Sequence, residues 1–329
     1  MTMFIDAHGR EITYLRISVT DRCDFRCVYC MSEDMTFMPR SQLLTLEEIA
    51  RLAKIFAENG VRRFRLTGGE PLIRKNLVWL VNELSGYPNV QELAITTNGS
   101  RLSEQAAALK AAGITKLNIS VDTLDVDKFK AITRIGHLPQ VLSGILAAKA
   151  AGIGSIRLNS VIMRGQNDDQ ILPLIAFARQ HALDIAFIEE MPLGDIAHNR
   201  EKTFIASDEI RQTIHQRYPL TEALIKPHGG PARYWVYDDG TQGKVGFISP
   251  QSCNFCATCN RVRLTAEGRL LLCLGHEDSL DLRAFLRSGK SDYEIAQAIQ
   301  QGLQKKPEKH EFTVQESPVV FRHMSHTGG

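Results

Sequence analysis

The chain has 329 residues, 43% of them hydrophobic, and a formal net charge of +2, enough for a large core and a smaller second domain. The near-balanced charge argues against a nucleic-acid binder, and without a run of about 18 apolar residues or a signal-peptide pattern no membrane partner is expected. Seven cysteines, mostly clustered, suit metal binding in a reducing cytoplasm rather than a secreted disulfide frame.

In chain order, strand-like apolar runs fall at 14–19, 63–66, 92–96, 116–121, 156–162 and 184–188, with helical periodicity between them at 46–58, 77–84, 104–111, 139–150 and 171–181. Thr45-x-x-Glu48 opens the first helix as a capping box, and Asn59-Gly60 suits its end. Six strands alternating with helices predict a parallel α/β unit two repeats short of an eight-fold barrel: an incomplete, open-sided (β/α)6 TIM-like barrel. Ser18, Thr20, Thr67, Thr96, Thr97, Asn98, Ser120, Asp122, Asn159 and Glu189 all fall at or near predicted strand C-termini, the rim on which barrel folds build their sites. After Met191-Pro192 the pattern changes to a helix at 207–218, a hairpin of 234–237 and 244–248 around Asp239-Gly240, and helices at 280–287 and 293–303. The expected domains are 1–195 and 196–329, the second a smaller α+β unit closing the open side.

Cys23, Cys27 and Cys30 form a C-x3-C-x2-C run directly after the first strand. Three thiolates cannot all pair as disulfides, and they are one ligand short of a closed tetrahedral site. They suit a four-iron cluster held by three irons with the fourth left open; a zinc site completed by a distant residue has the same donors. Thr67-Gly68-Gly69-Glu70-Pro71 follows, where glycines at a strand end let backbone groups approach a zwitterion and Glu70 offers a charge to its ammonium. A second group, Cys256-x2-Cys259 with Cys273 beyond a predicted hairpin, suits another cluster or a zinc ribbon. Arg261 and Arg263 share a strand face by alternation, so both can point into the same cavity.

The first triplet, with the aromatic Tyr29 before its last cysteine, resembles the radical S-adenosylmethionine superfamily. The second group resembles the auxiliary-cluster motif of the GTP 3′,8-cyclases, which begin molybdenum cofactor biosynthesis. The likeness covers nearly the whole chain, through 14–18, 65–71, 96–99, 118–122, 187–189, 255–261 and the terminal Gly328-Gly329. It implies two four-iron clusters, on Cys23, Cys27 and Cys30 and on Cys256, Cys259 and Cys273, with Tyr29, Gly69, Ser120 and Met191 around S-adenosylmethionine. It implies GTP contacts from Arg16, Arg65, Thr96, Arg157, Arg261, Val262 and Arg263, and places Arg16, Gly328 and Gly329 at the reacting centre.

The implied reaction is hydrogen abstraction from ribose C3′, attack of that carbon on purine C8, then reduction and protonation. The implied partners are a flavodoxin- or ferredoxin-type reductant, a downstream cyclic pyranopterin monophosphate synthase and a second copy in a homodimer. Three departures from the resemblance stand out: the extra Cys253, Arg157 where lysine is usual, and Ala186 where arginine is common. A peptide-modifying radical enzyme shares both cysteine groups. A non-catalytic iron–sulfur electron carrier does not need the Gly-Gly-Glu-Pro turn or the polar rim.

Overall fold

The computed structural model describes residues 3–194, 196, 198–224, 230–253, 255–310, 312 and 320–328. Strands β1 (Tyr14–Ser18), β2 (Arg63–Thr67), β3 (Glu92–Thr97), β4 (Lys116–Ser120), β5 (Ser155–Val161) and β6 (Asp184–Ile188) lie side by side in chain order, every neighbouring pair parallel. Parallel pairing demands crossovers, and helices supply them: α1 (Leu46–Glu58), α2 (Leu77–Ser85), α3 (Leu102–Ala111), α4 (Val126–Thr133), α5 (Leu138–Ala150) and α6 (Ile171–Gln180). This is the expected open (β/α)6 barrel. The capping box at α1 is formed, Thr45 Oγ1 accepting from Glu48 N at 3.1 Å and Glu48 Oε2 accepting from Thr45 N at 2.8 Å. Helix α4 was not expected: it is short and buries only Phe129, Ile132 and Thr133, too little for a clear periodicity.

The strands' period of two divides the molecule. Leu15, Ile17, Phe64, Leu66, Ile95, Leu117, Ile119, Leu158, Ile185 and Phe187 point outward and are fully buried under the helices, each stabilising by about 1.5–3 kcal/mol. Residues of opposite parity face the barrel axis: Tyr14, Arg16, Arg63, Arg65, Asn118, Arg157 and Asn159. A closed barrel fills its centre with branched apolar side chains. This one is lined with charge and stays hollow.

The second half adds α7 (Arg200–Thr203), α8 (Ser207–Arg217), β7 (Leu220–Glu222), β8 (Ala232–Tyr237), β9 (Lys244–Ile248), β10 (Arg261–Leu264), β11 (Arg269–Leu271), β12 (Ser279–Asp281), α9 (Leu282–Arg287), α10 (Asp292–Leu303) and α11 (Met324–Thr327). β8 and β9 form the expected antiparallel hairpin. β9 also pairs parallel with β6, and β10 parallel with β1, so strands of the second half extend both edges of the first. Among the described residues the sheet runs β12-β11-β10-β1-β2-β3-β4-β5-β6-β9-β8-β7 without a break. The helix expected from residue 280 starts at Leu282, because 279–281 pairs with β11 and Asp281 caps α9 through Ala284 N at 2.9 Å. No described helix is long and apolar enough to cross a membrane.

Candidate active site

The first three cysteines occupy the loop leaving β1, all half-buried and unpaired as disulfides. The loop is tied down on both sides: Arg26 N and Val28 N donate to the carbonyls of Thr133 and Ile132, and Asp24 accepts from Asn98 Nδ2 and Ser100 Oγ at 2.7 Å each. Burial pushes the Cys30 thiol up to about 12, and Cys27 rises through burial and then the neighbouring Cys30, Asp122 and Cys23. Cys23 is raised by burial and then by Glu70, with Cys30 also contributing. The three sulfurs therefore share one electrostatic neighbourhood, in which thiolates need bound cations. Sulfurs spread over separate irons of a cluster fit this donor set.

The glycines after β2 are dictated by contact. A Cβ at Gly68 would lie 2.5 Å from the Thr20 carbonyl oxygen, and one at Gly69 2.3 Å from that of Arg22. Only glycine lets the two loops press backbone to backbone, joined by Gly69 N to Thr20 O and Glu70 N to Arg22 O. Glu70 is held firmly in place. Its carboxylate is fully buried and accepts from Leu72 N, Thr97 Oγ1 and Asn98 N at 2.7–2.9 Å, so it braces the loop. Burial lifts it to about 7. Glu189 is likewise a brace, taken up by Ser207 N, Gln251 N and Ser252. The Tyr29 hydroxyl donates a hydrogen bond to Asp122 Oδ2 at 2.7 Å, which fixes the ring beside Cys30. Gly69, Ser120 and Met191 follow or end β2, β4 and β6 on the same C-terminal rim.

Inside the barrel lies a cavity of about 520 Å³ bounded by Tyr14, Arg16, Arg65, Arg157, Asn159, Met191, Arg261, Val262 and Arg263. Thr96 does not border it; its hydroxyl lies 3.4 Å from Arg65 Nη1 and steadies that guanidinium. The arginines crowd one another. Arg16 is held well below its ordinary value by burial and then by Arg263, and Arg263 is brought down to about 9 by burial and then by Arg261. Guanidinium groups stay protonated in proteins, so this crowding is a demand for an anion.

Tyr14 and Arg63 also border the cavity and were missed, although they alternate with Arg16 and Arg65 on the same faces. Burial of Tyr14 raises its pKa, but Arg65, Arg16 and Arg261 outweigh burial and bring it to about 8. An anion neutralising those arginines removes their pull. We expect a phenolate absorbance titrating near pH 8 in the nucleotide-free protein, lost in Tyr14→Phe, and moving to higher pH when a nucleoside triphosphate binds. A titration unmoved by the nucleotide places the phosphates elsewhere.

Cys256, Cys259 and Cys273 border the same cavity. Cys256 is buried and its sulfur accepts from His310 N at 3.4 Å. Burial raises Cys259, but Lys306 and Arg261 outweigh it and lower the thiol. Lys306, itself buried, reaches the carbonyls of Arg261 and Leu272 and lies 3.7 Å from the Cys259 sulfur, bracing the chain beside two of the three cysteines. Nothing in the local sequence signalled Lys306. Cys253 is exposed and interacts with Arg233.

The chain's end reaches into this region. Helix α11 buries Ser325 and Thr327, the Ser325 backbone N–H lies on the Cys30 side and favours its thiolate, and the Gly328 carbonyl accepts from Arg263 Nη1 at 2.5 Å. Gly329 lies outside the described residues.

An open parallel barrel carrying a three-cysteine loop after its first strand defines a radical S-adenosylmethionine protein, and the profile of the Radical SAM superfamily matches residues 17–178. The profile named Molybdenum Cofactor Synthesis C matches residues 183–312. The chain belongs to the GTP 3′,8-cyclase family. It is 57% identical to a GTP 3′,8-cyclase of Ectopseudomonas mendocina over 99% of this chain and 98% of that one. It is 55% identical to GTP 3′,8-cyclase 1 of Pseudomonas aeruginosa, both chains covered completely. Among solved structures, Streptococcus suis SuiB bound to S-adenosylmethionine shares the fold: TM-score 0.59 at 16% identity, over 97% of this chain and 78% of SuiB.

Proposed function

We propose that the chain is a lyase that cyclises GTP to 3′,8-cyclo-7,8-dihydroguanosine triphosphate, the first step of molybdenum cofactor biosynthesis. The observation that carries this is the arginine-lined cavity, which has Cys256, Cys259 and Cys273 in its wall and the tail residue Met324 beside it. Cys23, Cys27 and Cys30 would hold the first four-iron cluster and Cys256, Cys259 and Cys273 the second. Tyr29, Gly69, Ser120 and Met191 would frame S-adenosylmethionine. Reduced and bound together, that cofactor and the first cluster supply one-electron carbon–sulfur cleavage and hydrogen abstraction.

The chain's own residues do the rest. Arg16, Arg65, Arg157, Arg261 and Arg263 replace the water around a triphosphate carrying about four negative charges. Anchoring the phosphates and the purine fixes ribose C3′ between them, where an error of about 1 Å can lower the rate a hundredfold. The buried walls keep water from the reacting carbon. C3′ loses a hydrogen atom and bonds to C8, and one electron and one proton then restore the count, so the product is an isomer of GTP. A flavodoxin- or ferredoxin-type protein would supply the electrons, a cyclic pyranopterin monophosphate synthase would take the product, and the enzyme would work in the cytoplasm as a homodimer. The peptide-modifying reading rests on the two cysteine groups, whereas full-length relatives named for GTP favour the nucleotide.

The test is anaerobic incubation with GTP deuterated at C3′, S-adenosylmethionine and a reductant. Deuterated 5′-deoxyadenosine and a GTP isomer are expected; 5′-deoxyadenosine without deuterium sinks the assignment. Arg261→Ala is expected to weaken GTP binding by roughly 1.5–3 kcal/mol, the scale of a lost charge-assisted hydrogen bond, and to leave S-adenosylmethionine binding alone. Wild-type affinity in that variant puts Arg261 outside the phosphate site.

A further inference from the structure

One row of paired residues crosses the cavity face of the sheet: Asn159 on β5, Ala186 on β6, Gly246 on β9 and Tyr234 on β8. Residues paired in this way project to the same side. The two central members are the smallest possible, and the reason is Tyr234. A Cβ at Gly246 would stand 3.0 Å from the Tyr234 ring and 3.3 Å from Ala186 Cβ, so the ring is laid over Gly246 towards Ala186. From there the phenol oxygen accepts a hydrogen bond from Arg157 Nη1 at 2.6 Å. Arg157 Nε donates to Asn159 Oδ1 at 3.1 Å. The guanidinium is therefore held at two edges, by its own strand and by a strand three steps across the sheet.

The contact has a physical purpose. A free arginine side chain gives up rotamer freedom when a ligand immobilises it, and a guanidinium already fixed avoids most of that loss. Three interstrand steps of about 4.8 Å separate β8 from β5, so a long ring reaching across two side-chain-poor positions is needed to bridge them. Tyr234 borders the cavity alongside Arg157 and Asn159.

We propose that Tyr234 is a positioning residue for the triphosphate, fixing Arg157 through a path kept open by Ala186 and Gly246. The inference rests on the reading that the cavity takes GTP. It predicts a loss specific to the phosphates, which a merely structural tyrosine would not show.

The experiment measures equilibrium binding of GTP and of guanosine to the anaerobically reconstituted holoenzyme, with Tyr234→Phe, Arg157→Ala and the double variant. Phenylalanine keeps the ring and removes only the oxygen. Tyr234→Phe is expected to weaken GTP about tenfold, leave guanosine and iron content unchanged, and add nothing on top of Arg157→Ala. Wild-type GTP affinity in Tyr234→Phe overturns the proposal. So does an equal loss for guanosine, or a full tenfold further loss in the double variant. A wild-type enzyme that binds no GTP overturns the underlying reading, and the proposal with it.

Discussion

Gly328→Ala is expected to reduce cyclised product at least a hundredfold while leaving iron content and GTP affinity nearly unchanged. Two independent features of the structure forbid a side chain there. The residue has φ +75°, and a Cβ would lie 1.9 Å from Thr67 Oγ1 at the end of β2, where a central strand cannot yield. The tail must then lift. With it go the carbonyl that Arg263 holds and the Ser325 backbone that favours the Cys30 thiolate, on opposite sides of the site. The strands that carry the cavity arginines and the loops that carry the cysteines keep their places, so binding is expected to survive and alignment is not. Anaerobic turnover checks this against a chain truncated before Gly328, which should fail in the same way. Near-normal yield from either variant makes the tail an ordinary frayed end.

Cys256→Ala should halve the iron of the reconstituted protein, from about eight to about four per chain, and abolish GTP cyclisation. Cys256 is buried among the groups bordering the cavity, and its sulfur is already fixed by His310 N. Cys253→Ala should change neither quantity, because that thiol is exposed and interacts with Arg233. Iron analysis with electron paramagnetic resonance of the reduced protein separates the two clusters. Loss of iron in Cys253→Ala would mean four thiolates close the second cluster, leaving no iron open to a substrate. About four irons with one tightly held zinc in the unmodified protein would remove the second cluster altogether.

The barrel was legible because its physics is local. Each core strand carries an apolar outward face, and its limits in the structure fall within a residue of those the alternation implies. The cysteine loops were legible for the same reason, since their chemistry is written in spacings of two and three residues. What escaped depended on contacts between distant segments. The hairpin of β8 and β9 could be read from Asp239-Gly240, but not its parallel attachment to β6. The bracing roles of Glu70 and Glu189 could not be read from the sequence, and only the fold reveals the amides and hydroxyls they accept from. Lys306 and Tyr234 carry no local pattern and acquire meaning only beside Cys259 and Arg157.

The unbroken sheet has a consequence for how this molecule can be cut or built. β10 pairs with β1 and β9 with β6, so the early six strands find both flanks completed by chain made later. A nascent or truncated product ending near residue 195 presents two open rows of backbone donors and acceptors, the template on which strands of separate molecules join. Synthesis therefore passes through a sticky stage that ends only when residues 244–248 and 261–264 arrive. The two halves are therefore poor candidates for separate expression, and a split point anywhere before residue 264 leaves at least one flank of the early strands uncovered.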